Sequence, residues 1–148
     1  MIDTEKCLQI GLLVENLDES IRQWSAFLGK QPDMVGETDG SDKSKAEYNG
    51  AVCYGRIRQA IYQLNGTQIE LIQPIGDEPS FWKDCLTEKG PHIHHLAFGS
   101  NAIRQDMAEL AAKGDGCVQY GEWGGGSGKY AYFDLRKSLN AVVELLDF

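Results

Sequence analysis

Residues 67–74 read TQIELIQP, and residues 142–146 repeat the centre of that stretch as VVELL. Each stretch places one glutamate, Glu70 or Glu144, in the middle of an aliphatic run. Short apolar runs are typical of buried β-strands, and burying a bare carboxylate in such a strand is unfavourable. The repeat therefore indicates two equivalent strands, each with an acidic group at the same place that needs compensation.

The first copy extends to the elements around residues 67–74. Residues 51–64 are predicted as a second strand, separated from this one by Asn65-Gly66. Asn-Gly favours a two-residue β-hairpin, in which Ile61 lies opposite Glu70. Nearer the start, a short apolar strand precedes Asn16, which can cap a helix. Its apolar positions recur at helical spacing, and Gly29 can end it.

The second copy begins at His92, with another short strand followed by another helix. A single separation along the chain relates the apolar positions of the two helices: Leu17 to Ile103, Ile21 to Met107 and Trp24 to Leu110. The same separation relates Gln9 to His95. The chain therefore contains an internal repeat.

This repeat predicts an α+β fold: two tandem βαβββ modules with pseudo-two-fold symmetry, forming a curved mixed sheet around a metal-binding cavity. We expect a single domain over residues 1–148, with module one at about residues 5–75, a connecting helix at about 79–89 and module two at about 91–148. Residues 36–50, rich in Gly, Ser, Asp and Lys, predict a mobile connection with little core-forming power.

Composition excludes several classes of protein. The net charge of −8, without a local basic cluster, disfavours nucleic acid as a partner. No apolar run is long enough to cross a membrane, and the first residues lack the pattern of a secretory signal, which predicts a cytoplasmic protein. Widely spaced cysteines predict reduced thiols rather than a zinc knuckle or redox motif: Cys7, Cys53, Cys85 and Cys117.

Alternation along the strands predicts which side chains face the cavity. Residues 10, 12 and 14 are aliphatic and should pack on the helix, which leaves Gln9 on the concave face of the sheet. By the same rule His95 faces the concavity and His94 faces the helix. The pseudo-symmetry then brings Gln9 and His95 together with Glu70 and Glu144.

These four residues form a mixed oxygen and nitrogen donor set. Two carboxylates, one imidazole and one amide oxygen suit a divalent cation with open positions for water or substrate. Taken singly, Glu70 and Glu144 could be solvated edge carboxylates and His95 a core histidine. Their joint correspondence favours a metal site with Gln9, Glu70, His95 and Glu144 as ligands.

Four segments carry a resemblance to the vicinal oxygen chelate superfamily, which includes glyoxalases, bleomycin resistance proteins and dioxygenases: LQIGLLVENLD at residues 8–18, TQIELIQP, IHHLAF at residues 93–98, and VVELL. The chain resembles methylmalonyl-CoA epimerases in its overall length and in the segments TQIELIQP and IHHLAF. The set of Gln9, Glu70, His95 and Glu144 resembles the ligand set of the zinc type of glyoxalase I. The sequence departs from both families. Leu13 stands where that type of glyoxalase I tends to carry an arginine. Residues 51–64 contain no Asp or Glu and so lack the additional acid/base carboxylate expected of the epimerase.

The resemblance implies a lyase or isomerase that binds a small oxygen-rich substrate to one divalent ion per chain, zinc, nickel, cobalt or manganese. Glu144, with Glu70 as its partner, would move a proton next to the metal-bound carbonyl. A non-catalytic protein that binds a small molecule, as antibiotic-resistance members of the superfamily do, is the alternative. Relatives of this kind are commonly homodimers, so we expect a homodimer here.

Overall fold

Ten β-strands form one strongly curved sheet in the computed structural model, which describes residues 1–148. The strands are β1 (Gln9–Leu13), β2 (Met34–Glu37), β3 (Glu47–Tyr48), β4 (Ala51–Val52), β5 (Arg56–Gln63), β6 (Gln68–Ile75), β7 (His92–Gly99), β8 (Gln119–Trp123), β9 (Gly128–Leu135) and β10 (Ala141–Asp147). The helices are α1 (Leu17–Leu28), α2 (Ser41–Ser44), α3 (Phe81–Lys89), α4 (Ile103–Ala112) and α5 (Arg136–Leu139). None of them is long and apolar enough to span a bilayer.

The order of the strands reveals the two modules. It runs β2-β5-β6-β1-β7-β10-β9-β8-β3-β4, so that β1 and β7 meet antiparallel at the centre. On one side β6 lies parallel to β1, and on the other β10 lies parallel to β7. The two halves thus mirror each other outward from the central pair, which confirms the predicted α+β fold of two βαβββ modules.

Helix α1 begins and ends where the sequence predicts. The side chain of Asn16 accepts a hydrogen bond from the backbone N–H of Glu19 at 3.1 Å, and Gly29 ends the helix in the left-handed conformation with φ of 69°. Its apolar face covers the outer side of β5 and β6, where Tyr62 and Leu71 are completely buried. Helix α4 covers β9 and β10 in the same way.

Helix α3 packs on the opposite, concave side of the sheet. Phe81, Trp82 and Cys85 form a core there with Leu13 from β1 and Tyr132 from β9. Ser80 caps this helix by accepting a hydrogen bond from the backbone N–H of Lys83 at 3.0 Å. The connecting helix therefore fills part of the concavity and leaves the remainder open as a cavity.

Two sequence expectations for residues 36–64 are wrong. Residues 36–50 contain α2 and β3 rather than a structureless connection, and β3 extends the sheet by pairing with β8 of the second module. Ser44 and Ala46 are buried there, so the segment does contribute to the core. Residues 51–64 are not one strand, because the chain leaves the sheet between β4 and β5, where a Cβ at Gly55 would press on Ser80.

Candidate metal centre

The sheet brings the four predicted residues to one point on its concave face. Glu70 of β6 lies beside Gly11 of β1, and Glu144 of β10 lies beside Ala97 of β7, so the two glutamates occupy equivalent positions in the two modules. One ligand atom from each of Glu70, His95 and Glu144 lies within 4.8 Å of the others. The hairpin register that placed Ile61 opposite Glu70 is also present.

His95 is the centre of the cluster. Its Nε2 lies 3.0 Å from Oε2 of Glu144, 3.6 Å from Oε1 of Glu70 and 3.0 Å from Oε1 of Gln9. All of these donor atoms therefore surround one small volume. This spacing is short enough for a single cation to reach each of them.

The charges at this point are not balanced by the protein alone. Gln9, Glu70, His95 and Glu144 are at most 7% exposed, and the two carboxylates form ion pairs only with His95. Burial, together with repulsion from Glu144, raises the pKa of Glu70 to about 8, although His95 opposes the shift. Two buried carboxylates beside one imidazole need further positive charge, which either a proton on Glu70 or a divalent cation would supply.

Burial and the neighbouring carboxylates shift the pKa of His95 in opposite directions. Burial lowers the pKa of His95, but the charge and hydrogen bond of Glu144 and the charge of Glu70 outweigh it, so that the net shift is upward. A metal ion would have to displace the proton that these carboxylates favour. The donor set therefore binds either a proton or a cation, in competition.

A chain of three glutamine amides orients Gln9. Gln63 Nε2 donates to the backbone carbonyl of Leu64 at 3.0 Å, so its oxygen is left to accept from Gln68 Nε2 at 2.9 Å. The oxygen of Gln68 then accepts from Gln9 Nε2 at 3.0 Å. Because a carbonyl can only accept, this chain has one polarity, and it directs the oxygen of Gln9 into the cluster.

That orientation is unfavourable unless a cation, or a proton on Nε2 of His95, lies beside the oxygen of Gln9. The oxygen of Gln9 faces carboxylate oxygens, and a rotated amide would instead donate to Glu144 at 3.0 Å and to Glu70 at 3.2 Å. The rotation would, however, set two amide oxygens of Gln9 and Gln68 against each other at 3.0 Å. An inward-facing oxygen satisfies the amide chain and becomes a ligand when a cation lies among the four residues.

The prediction that His94 faces α4, the helix that follows its strand, is wrong. The pairing of β1 with β7 shifts register between Gly11 and Leu12, and this irregularity breaks the alternation of side chains at His94. Its ring packs against Phe81 and Tyr132 on the concave side, and its Nδ1 lies 3.1 Å from Nδ1 of His95.

His94 can fix the tautomer of its neighbour. Burial and the proximity of His95 hold the pKa of His94 well below its ordinary value, so the ring is neutral at neutral pH. Only one of the two facing Nδ1 atoms can carry a hydrogen in a hydrogen bond between them. If His95 carries it, His95 Nε2 is free to bind a metal, and His94 acts as the acceptor that metal-binding histidines usually have.

Gly11 makes room for the imidazole. A Cβ at this position would overlap the ring of His95, its partner across the central strand pair. The equivalent residue in module two is Ala97, which lies opposite Gln9. Gly11 was not among the residues predicted for the site, although glycine inside an apolar strand is itself a signal of close approach.

A cavity of about 380 Å³ opens above the cluster. Gln9, Glu70 and Glu144 line its base, and Trp82, Tyr130 and Tyr132 line one side. Burial, as the largest cause, raises the pKa of both Tyr130 and Tyr132 above its ordinary value, so both phenols keep their hydrogens at neutral pH. The donor set therefore lies at the end of a pocket that a small molecule can enter.

A family model for the glyoxalase/bleomycin resistance protein/dioxygenase superfamily matches residues 8–133. This span includes Gln9, Glu70 and His95 and ends before Glu144. No curated protein matches the chain.

Several solved structures share the fold. A methylmalonyl-CoA epimerase variant from Streptomyces coelicolor, in complex with 2-nitronate-propionyl-CoA, is 17% identical with a TM-score of 0.72, covering 96% of this chain and 93% of that one. The epimerase from Mycobacterium tuberculosis is 21% identical with a TM-score of 0.68, covering 99% and 92%. A hypothetical protein from Bacillus halodurans C-125 is 18% identical with a TM-score of 0.70, covering 99% and 96%.

Proposed function

The chain belongs to the glyoxalase/bleomycin resistance protein/dioxygenase superfamily, and from this premise we propose that it is a divalent-metal-dependent lyase or isomerase. It would move a proton next to the carbonyl of a small, oxygen-rich substrate. The observation that carries the proposal is the convergence of Glu70, His95 and Glu144 within 4.8 Å, with the two glutamates lining a cavity.

Gln9, Glu70, His95 and Glu144 would hold one ion of zinc, nickel, cobalt or manganese. The single imidazole suits zinc, nickel and cobalt, and the three oxygen donors also suit manganese. The amide chain behind Gln9 and the imidazole behind His95 keep both neutral ligands directed at the ion. When bound, such an ion polarises a carbonyl oxygen and makes the neighbouring C–H group more acidic.

Glu144 would take up the proton, with Glu70 as its partner. Both carboxylates lie at the base of the cavity, beside the position that the substrate would occupy. In the metal-free fold, burial and Glu144 raise the pKa of Glu70 to about 8, so this position can hold a proton whenever no cation is bound. Tyr132, which lies across the strand pair from Glu144, is a neutral phenol and adds no competing charge.

The structural neighbours support an isomerase more than a lyase. One of them is an epimerase in complex with 2-nitronate-propionyl-CoA. Epimerisation beside a thioester carbonyl is the kind of proton transfer that the two glutamates would perform. We extend only the type of reaction to this chain, and we retain the homodimer and the cytoplasmic location as predictions.

A second candidate function is binding without chemistry. The aromatic side of the cavity, formed by Trp82, Tyr130 and Tyr132, favours it because such walls bind flat molecules without any need for proton transfer. Under this alternative, Glu70 would carry a proton and the cluster would need no ion.

Metal content separates the two candidates. Protein purified without chelator is expected to carry close to one divalent ion per chain by elemental analysis, because the buried carboxylates need compensation. Removal of the ion should lower the melting temperature, and zinc or manganese should restore it. Protein with no ion, and no stabilisation by any of the four metals, would favour the binding protein.

A further inference from the structure

The wall of the cavity carries only negative charges. Its lining residues include five acids and no lysine or arginine. Glu70 and Glu144 lie in the donor set, where a divalent ion would balance them. The remaining three acids lie outside the donor set: Glu37, Asp39 and Glu122.

Neighbouring cations compensate these three acids only in part. Glu37 pairs with Arg56 at 3.1 Å. Glu122 accepts a hydrogen bond from the hydroxyl of Tyr120 at 2.7 Å, while the exposed Lys45 reaches it only at 3.9 Å. Asp39 is exposed and forms no ion pair. The group of three remains net negative, so an anionic part of a ligand would meet repulsion there.

Aromatic side chains accompany these acids. Trp123 follows Glu122 on β8, and its ring lies 6.4 Å from the ring of Phe148. Both side chains line the cavity although they are 40% and 78% exposed. Aromatic faces beside a carboxylate attract flat apolar groups and organic cations.

We propose that the part of the substrate outside the metal centre is apolar or aromatic, carries no negative charge, and binds best when it bears a cationic amine. This inference rests on the proposed function for the oxygen-bearing end of the substrate only. It disfavours acyl-CoA and glutathione conjugates, whose phosphates or carboxylates would lie against Glu37, Asp39 and Glu122.

Three hydroxamates that share one chelating group and differ in the charge of the tail test the proposal. Benzohydroxamate has a neutral tail, its 4-aminomethyl derivative a cationic tail and its 4-carboxy derivative an anionic tail. Calorimetric titration of zinc-loaded protein should show the cationic probe binding about tenfold more tightly than the anionic one, with the neutral probe between them. Propionyl-CoA should show no saturable binding.

Glu122→Gln keeps an acceptor for Tyr120 and removes one charge, so it should narrow the difference between the cationic and anionic probes. Glu109→Gln, on the exposed side of α4, is the matched control and should leave that difference unchanged. If both variants reduced the difference in affinity between the cationic and anionic probes equally, the overall charge of the protein rather than the cavity wall would set that difference. This result would overturn the inference.

The proposal and the function on which it rests can fail separately. If zinc binds and the anionic probe binds as tightly as the cationic one, the inference is wrong while the metal site remains. If zinc does not bind, the proposed function fails. The same probes are then titrated into metal-free protein, because Glu37, Asp39 and Glu122 remain there. Tighter binding of the cationic probe than of the anionic probe would support the inference, and equal affinities would overturn it.

Discussion

The two modules contribute the same acid and different candidate neutral ligands to the cluster. Glu70 and Glu144 lie beside Gly11 and Ala97, which are equivalent residues of the central strands. Module one adds an amide oxygen from Gln9, while module two adds an imidazole from His95. The symmetry of the fold therefore determines where the acids meet, and local sequence determines what they meet.

The two neutral ligands are also supported differently. Gln9 is oriented by a chain of amides that ends at the exposed side chain of Gln63, whereas His95 contacts the buried and neutral ring of His94. The imidazole needs a glycine opposite it, and the amide tolerates Ala97. We infer that, under the proposed function, module two would hold the metal and module one would adjust how strongly it is held.

The largest expected effect tests whether the equivalent glutamates are equal in function. Glu144→Gln keeps an oxygen donor of the same length but removes the base, so proton exchange should fall by about a hundredfold to ten-thousandfold. Deuterium incorporation at the carbon next to the carbonyl of a turned-over substrate measures this. Glu70→Gln should have a smaller effect. Wild-type exchange in Glu144→Gln with metal bound would assign the base elsewhere.

Removing each neutral ligand compares the two modules directly. His95→Ala should weaken zinc binding by at least about 100-fold, because imidazole is a stronger zinc ligand than an amide oxygen and because it alone pairs with both carboxylates. Gln9→Ala should cost about tenfold, since water can replace the amide oxygen. Competition titration with a zinc chelator gives both values. Equal losses would refute the division of roles between the modules.

The pair Gly11 and Ala97 tests the same division through the backbone. Gly11→Ala should displace the ring of His95 and weaken zinc binding by about 10–100-fold, as does the loss of other groups that orient a ligand. Ala97→Gly displaces no ligand and should cost only about 1 kcal/mol of unfolding free energy. Zinc titration and chemical denaturation of both variants separate the two effects. Gly11→Ala with unchanged zinc affinity would show that His95 has another position available.

The pH dependence of zinc binding follows from the acid of module one. The pKa of Glu70 is raised from 4.5 to about 8 in the metal-free fold, so the native protein holds a proton that the unfolded chain releases. The unfolding free energy of the metal-free protein should therefore fall as pH rises from 4.5 to about 8. Zinc must displace that proton, so its affinity should rise over the same range and level off above it.

Zinc titrations at several pH values, with buffers of different ionisation enthalpy, count the released proton. Glu70→Gln is the control, because it removes the titrating group and should reduce the slope. An affinity that does not change between about pH 6.5 and about pH 8.5 would mean that Glu70 is already ionised without metal.

Much of this candidate centre could be predicted from the sequence, because it depends on the internal repeat, on the alternation of side chains along a strand and on the pairing register of the hairpin. The repeat located Glu70 and Glu144, the alternation of β1 placed Gln9, and the Asn65-Gly66 hairpin fixed the residue opposite Glu70. The side chain of His94 was misplaced because an irregularity in strand pairing interrupts the alternation, and nothing in IHHLAF marks its position.

Other features depend on tertiary packing that no local pattern records. The spacing of apolar residues predicts α3 as a helix but does not say which side of the sheet it covers. Residues 36–50 bury only short side chains, chiefly Ser44 and Ala46, so their pattern resembles that of a loop. The amide chain could not be predicted either, because Gln63, Gln68 and Gln9 meet only when three strands are in register.

The smallest expected effect is the most specific test of the amide chain. Gln68→Leu removes the acceptor of Gln9 Nε2, so the amide of Gln9 can rotate and present its nitrogen to the carboxylates. The loss of one oriented hydrogen bond corresponds to about a threefold to tenfold weaker binding of zinc. Gln68→Glu keeps an oxygen that accepts from Gln9 while losing the bond to Gln63, so it should retain most of the affinity. If the role of Gln68 were only to pack the strand, both variants would weaken zinc binding alike, or neither would. Because the glutamate also adds a negative charge that attracts zinc, the comparison is made at high salt, where retention of affinity in the glutamate variant alone would support the orienting role of the oxygen at position 68.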